Sequence, residues 1–243
     1  MAGHSKWANI RHRKGRQDAK RSKVWSKCSR AIIVAAKNGG GDPAANLTLR
    51  YAIDEAKAAN MPKDTIAKAI EKGAGGGDGS AYEELVYEGY GPNGVAVLLE
   101  ILTDNRNRTA GEIRKLFERG GGNLGASGSV AYNFDRKGVI TLPADAGDED
   151  TLMELVLEAG AEDLSGDGDT WTVVAGLDAY AGVKDAVDGA GLEPESAGLE
   201  MIPQQTVELS GDEAERVLGF IDQLDDHDDV QKVHANLEVA EPA

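Results

Sequence analysis

The chain has 243 residues, 41% of them hydrophobic and 28% charged, with one cysteine and a formal net charge of −16. This balance excludes wholesale disorder and a disulfide or cysteine-rich metal framework, and no apolar run approaches the ~20 residues of a membrane span. Taken whole, the charge also argues against a nucleic-acid partner, but residues 1–72 hold 16 Lys/Arg against 6 Asp/Glu, residues 73–142 hold 7 against 9, and residues 143–243 hold 3 against 27.

The basic segment comes first and reads as helical. Over residues 17–37, Val24, Trp25, Cys28, Ala31, Ile32 and Ala35 fall on one arc of a helical wheel. Arg16, Lys20, Lys23, Lys27, Arg30 and Lys37 fall on a neighbouring arc. Such a helix packs on its partners while showing a cationic stripe. Residues 38–41 end it with types that tolerate left-handed caps. A second helix is predicted over about 44–59, with Leu49, Ile53 and Ala56 inward. A third starts at Pro62, with Ile66, Ala69 and Ile70 inward and Gly73 as its cap. Residues 73–80, GAGGGDGS, read as a flexible linker.

Residues 95–102, VAVLLEIL, have a buried-strand pattern after a turn at 91–94. Thr103 or Asp104 then caps a helix running through Arg119, with Ile113, Leu116 and Phe117 inward. Residues 129–134 alternate like a strand. Residues 138–203 read strand (139–142), helix (150–159), strand (161–164), strand (170–174), helix (180–188), strand (197–202). That order is the split β-α-β unit of ferredoxin-like folds. After Pro203 come a further strand, a helix over about 211–224 and a last strand over 231–237. These complete the preceding domain, which makes 138–203 an insertion. The expected class is α+β in three domains: a basic helical head at 1–75, a middle α/β domain from 80–135 plus 204–240, and an inserted ferredoxin-like α/β domain at 138–203.

The chemistry this pattern suits is phosphate binding. Between Lys6 and Arg30 lie ten cations and one acid, Asp18. Lys6, Arg11, Arg13, Lys14, Arg16, Lys20, Arg21, Lys23 and Lys27 can neutralise phosphates and release counterions. Trp7 either stacks on a base or anchors the segment to the bundle. The block at 103–109, TDNRNRT, sits at a strand-to-helix junction where backbone N–H groups favour anions. There Arg106 and Arg108 are either bidentate phosphate donors or the solvent-exposed arginines of an ordinary cap. The glycine-rich stretches 73–79 and 120–128 lack G-x-x-x-x-G-K-[ST] and read as a linker and a mobile loop, with Asn123 and Ser127 of the second as candidate partner contacts. The run at 225–229, DDHDD, reads as a solvated turn, and DLSGDGD at 163–169 lacks calcium-loop spacing. No serine-nucleophile motif is readable, His234 reads as structural and Cys28 as a buried thiol. No catalytic residue, metal or cofactor is expected.

Several separated blocks carry a family resemblance: GHSKWANI at 3–10, QDAKR at 17–21, NMPKDTIAKAI at 60–70, YEGYGPNGVAVLLEILTDNRNRT at 87–109, GGNLGASGSVAYNF at 121–134 and IPQQTVEL at 202–209. On these the chain resembles the YebC family, a bacterial family with a mitochondrial translational-activator branch. The acidic stretch 143–200 matches least in residue identity, though its element order fits. The resemblance implies a helical head and two α/β domains, one inserted in the other. It implies a role catalogued as probable DNA-binding transcriptional regulation. The mitochondrial branch, and a newer view of the bacterial one, point instead to ribosome-associated work that eases translation through proline-rich stretches. The expected function is therefore a non-enzymatic, cytoplasmic regulator of gene expression that grips nucleic acid with its basic head. The partner is DNA, or ribosomal RNA and tRNA on the ribosome, with ribosomal proteins as further partners of the acidic domains. No membrane and no small-molecule substrate are expected. The alternatives are a ribosome-associated translation factor and, from another class, a carboxylate-dependent metal hydrolase built on 225–229.

Overall fold

The computed structural model describes residues 17–75 and 82–240, with side chains described from Ser22 onward. In chain order the elements are α1 (Gln17–Gly39), α2 (Leu47–Ala58), α3 (Lys63–Ala74), β1 (Glu83–Tyr90), β2 (Ala96–Thr103), α4 (Arg106–Gly120) and β3 (Asn123–Leu124). There follow β4 (Phe134–Pro143), α5 (Glu149–Glu158), β5 (Ala161–Gly166), β6 (Thr170–Ala175), α6 (Leu177–Gly189) and β7 (Ser196–Pro203). The chain closes with β8 (Val207–Leu209), α7 (Gly211–Asp225), β9 (Val230–Ala235) and β10 (Leu237–Val239). The class is α+β, as the patterning predicts. The described residues fall into two compact units, one within Met1–Gly77 and Arg136–Met201, the other within Asp78–Asp135 and Ile202–Ala243.

In the first unit, α1, α2 and α3 bury Ile32, Ala35, Ala36, Leu49, Ala52, Ile53, Ala56, Met61, Ile66 and Ala69 against one another. Alanine dominates that core, so the helices approach closely. The Trp25 indole N–H donates to the Ala59 carbonyl at 3.0 Å and ties α1 to the end of α2. The second helix starts later than its apolar pattern alone suggests, because Asn46 caps it. Asn46 Oδ1 accepts from the Leu49 N–H at 3.1 Å, while Nδ2 donates to the carbonyls of Ala35 and Gly40 at 2.8 Å each. One buried amide thus satisfies both helix ends. Cys28 is half-buried rather than buried, and Val24, expected inward, is 42% exposed.

Gly73 is not the cap of α3 but lies within it, buried, and Gly75 follows the last turn. A Cβ at Gly73 would sit 2.8 Å from Ala36 Cβ and still closer to the Ile33 carbonyl oxygen. The backbones of α1 and α3 cross at this point. Gly73→Ala would gain about 1 kcal/mol of helix propensity in an open helix. Here the clash is with backbone, which cannot swing away, so a net destabilisation of about 1–3 kcal/mol is expected, read as a lower urea midpoint.

The rest of this unit is a β-α-β-β-α-β run with sheet order β5-β6-β4-β7, the ferredoxin-like arrangement. Ile140 and Leu142 of β4 and Val173 and Ala175 of β6 face Leu152, Val156, Tyr180, Val183 and Val187 of the two helices. The head helices join this layer through α2. Arg50 pairs with Asp185 of α6, and the Tyr51 and Tyr180 rings meet at 5.1 Å.

In the second unit the sheet order is β3-β1-β2-β9. β1 and β2 form an antiparallel hairpin with Gly89 opposite Val97, closed by the turn at 91–94. β9 pairs antiparallel with β2, Val97 opposite Ala235 and Leu99 opposite Val233, and forms an edge of this sheet. Alternation puts these residues on one face, and α4 and α7 bury Ile113, Phe117, Val217, Phe220 and Leu224. The Phe117 and Phe220 rings meet edge-on at 5.3 Å. Residues 129–134 do not form a strand: Ala131–Asn133 is a single 3₁₀ turn, and β4 begins only at Phe134.

Candidate nucleic-acid interface

Of the cations expected to meet phosphate, Lys6, Arg11, Arg13, Lys14 and Arg16 lie outside the described residues, as does Trp7. Lys20 and Arg21 are placed on α1 by backbone alone. Lys23, Lys27 and Arg30 are half-buried on α1 and Lys37 is exposed. Three of them, Lys23, Lys27 and Arg30, are spaced to share one arc. Val34 lies on the same arc yet is only 5% exposed, so the stripe is interrupted between Arg30 and Lys37.

The second candidate is the junction from β2 into α4. Its cap is Asn105, not Thr103 or Asp104: Asn105 Oδ1 accepts from the Arg108 N–H at 3.1 Å. Thr103 turns inward instead, its Oγ1 lying 2.8 Å from Thr109 Oγ1. Both hydroxyls reach Asp229 Oδ2, at 3.1 and 2.7 Å. Arg108 reaches the same oxygen at 2.7 Å, and Asp104 Oδ1 at 3.2 Å. Its Nε is 3.9 Å from Glu112. Arg108 is therefore held among carboxylates and positions the junction, whereas Arg106 is exposed and makes no ion pair among the described residues.

Asp229 is 5% exposed. Burial pushes its carboxyl up, but hydrogen bonds from Arg108, Thr109 and Thr103 and the guanidinium charge prevail and hold it below the usual range. The Asp229 bond holds the Arg108 guanidinium above its usual value. His227 braces the corner: its Nδ1 accepts the Asp229 N–H at 3.1 Å and its Nε2 faces Glu112 at 3.0 Å. The DDHDD run is thus no simple solvated turn. Asp229 could not be singled out among its acidic neighbours by spacing, since its partners lie 120 residues or more away.

The glycine-rich loop after α4 is pinned rather than mobile. Glu88 of β1, 5% exposed, accepts backbone N–H bonds from Gly128, Val130 and Ala131 at 2.7, 2.8 and 2.8 Å. Burial raises its pKa, but these three bonds outweigh that and leave it lowered. Asn123 and Ser127 stay exposed on the loop, and Tyr132 is 73% exposed. His234 is buried with Nε2 3.0 Å from Glu100.

No cluster of three or more His, Cys, Asp or Glu among the described residues is arranged to hold a metal ion. No helix of the described residues is long and apolar enough to cross a membrane.

Comparison with known proteins covers both units. The TACO1/YebC protein N-terminal domain matches residues 5–76, and the TACO1/YebC second and third domain matches residues 82–237. A "Probable transcriptional regulatory protein" of Desulfatibacillum aliphaticivorans is 53% identical over 243 residues, covering 100% of this chain and 98% of the relative. A protein of the same name from Rubrobacter xylanophilus is 52% identical over 242 residues, covering 99% and 97%. Among solved structures, a conserved hypothetical protein from Aquifex aeolicus superposes with a TM-score of 0.84 at 44% identity, covering 93% of each chain.

Proposed function

Because the chain belongs to the TACO1/YebC family, with relatives named "Probable transcriptional regulatory protein", we propose that it is a non-enzymatic regulator of gene expression that binds nucleic acid through its basic N-terminal segment. The observation that carries this reading is the segregation of charge. Residues 1–72 are net +10 on a chain that is otherwise net −26, and α1 sets Lys23, Lys27 and Arg30 along one arc. A polyanion is drawn to the first region and repelled by the net charge of the rest, which makes the head the main point of attachment. The described exposed positions of α1 are Ser22, Val24 and Ser26 and, in its last turn, Lys37, Asn38 and Gly39, so Asn38 is the one exposed amide among them and it stands at the end of the helix. That favours contact with phosphates over reading of base edges, and with it a structured RNA such as that of the ribosome.

Binding should weaken steeply with salt. About six phosphate contacts give a slope of log K against log[salt] near −5 on duplex and near −4 on single strands. A flat dependence for both ribosomal RNA and duplex DNA overturns the reading. Crosslinking in cells then separates the two targets, by showing whether lysines of the head attach to promoter DNA or to ribosomal RNA.

A further inference from the structure

Outside the basic segment the chain is acidic, yet the second unit does not scatter its cations. Residues 82–135 and 202–240 contain seven Lys/Arg, and five of them lie on α4. Arg108 is committed to Asp229. The other four, Arg106, Arg114, Lys115 and Arg119, are exposed and make no ion pair among the described residues. The acids on the same helix are Glu112, which faces His227, and Glu118.

The outward face of α4 is arranged for approach from outside. Lys115 and Arg119 are one turn apart, about 6 Å along the axis. Duplex nucleic acid presents one phosphate per ~3.4 Å of axis on each strand, so this pair spans about two phosphates. One turn before Lys115 stands Gly111, where an added Cβ would meet nothing within 4 Å, so no side chain shields the helix backbone there. Beyond Arg119 the helix closes at Gly121, in the left-handed region at φ 84°. A Cβ at Gly121 would lie 2.9 Å from Arg216 Nη2, so a guanidinium from α7 reaches the end of the same stripe. A cation in the last turn also complements the helix dipole, which accounts for Arg119 but not for Arg114 or Lys115. On α7 itself Asp212, Glu213 and Glu215 are exposed, which keeps that helix unattractive to a polyanion.

We propose that the outward face of α4, with Lys115 and Arg119 at its centre and Arg114 and Arg216 beside them, is a second phosphate-contacting surface. It takes the backbone of the nucleic acid that the head binds, and so rests on the reading of the preceding subsection. A second patch that engages the same molecule adds to the affinity of the first.

The test uses the full chain carrying Lys115→Gln, Arg119→Gln and Arg216→Gln, which keep helix-compatible side chains. A second protein carries Lys23→Gln and Lys27→Gln. Both are titrated with total ribosomal RNA and with random-sequence duplex DNA across a salt series. The α4 variant is expected to lose about tenfold or more in affinity and to flatten the salt slope by about 2–3 units, with an unchanged unfolding midpoint. Affinity and slope equal to wild type, while the head variant loses binding, overturn the second surface and leave the head reading intact. If the wild-type chain binds neither probe, the head reading and the α4 surface fall together.

Discussion

Changing Lys20, Lys23 and Lys27 together to glutamate should lower affinity for ribosomal RNA or duplex DNA at least ~100-fold near physiological salt. The number follows from counterion release. Three lost contacts remove about 2–3 units of salt slope, which alone is worth roughly two orders of magnitude at ~0.15 M, and reversal adds repulsion. Lys23 and Lys27 are half-buried on α1, and the helix itself is held by Trp25 and the alanine core, so the unfolding midpoint should move little. Lys37→Glu is the graded comparison. Val34 is buried between Arg30 and Lys37, which sets Lys37 apart from the stripe, so its reversal should change affinity several-fold less than the triple change. Filter binding or fluorescence anisotropy across a salt series measures both. A triple variant with wild-type affinity and slope would remove the head from the interface.

The second large effect is expected at Asp229. Asp229→Leu removes the acceptor shared by Thr103, Thr109 and Arg108. The Thr103 and Thr109 hydroxyls still have each other, and Arg108 retains Asp104 and water. The expected loss is therefore about 2–3 kcal/mol rather than the larger penalty of a sealed ion pair. The same carboxylate gives stability a pH dependence of definite sign. Asp229 and Glu88 both have folded pKa values below their ordinary ones. Their contribution is complete above the unfolded values, about 4, and is lost as pH falls through the lowered folded values. Wild-type stability should thus decline from about pH 5 downward, and the Asp229→Leu variant should show a shallower decline. Parallel acid profiles for the two proteins would contradict the assignment.

The fold was legible wherever the pattern is local. The alternation and turn spacing of 138–203 yield a β-α-β-β-α-β order whose sheet forms as β5-β6-β4-β7. The apolar run of 95–102 lies in the central strand β2, and the leftover elements after Pro203 supply β9 at its side. What was not legible depends on partners far along the chain. Asn46 looks like any loop polar residue until Ala35 and Gly40 present their carbonyls to it. Glu88 sits in an acidic, alternating strand and becomes a loop anchor only because the backbone at 128–131 folds over it. Residues 129–134 alternate like a strand, but two of those donors, the N–H groups of Val130 and Ala131, are turned toward Glu88 and so are not available to a ladder. Arg108 matched a phosphate-site pattern on type and position, and its commitment to Asp229 is invisible without the 121-residue contact.

The contact of α2 with the inserted elements has a consequence in the order of synthesis. Arg50 meets Asp185 across 135 residues of chain, and Tyr51 waits for Tyr180. At ~5–20 residues per second, the head leaves the ribosome roughly 7–27 s before that docking face exists. During this interval the cationic segment is already made while the acidic elements that accompany it are not. The nascent chain is then a basic peptide beside a surface of ribosomal RNA, and it acquires its net negative charge only as its second half emerges.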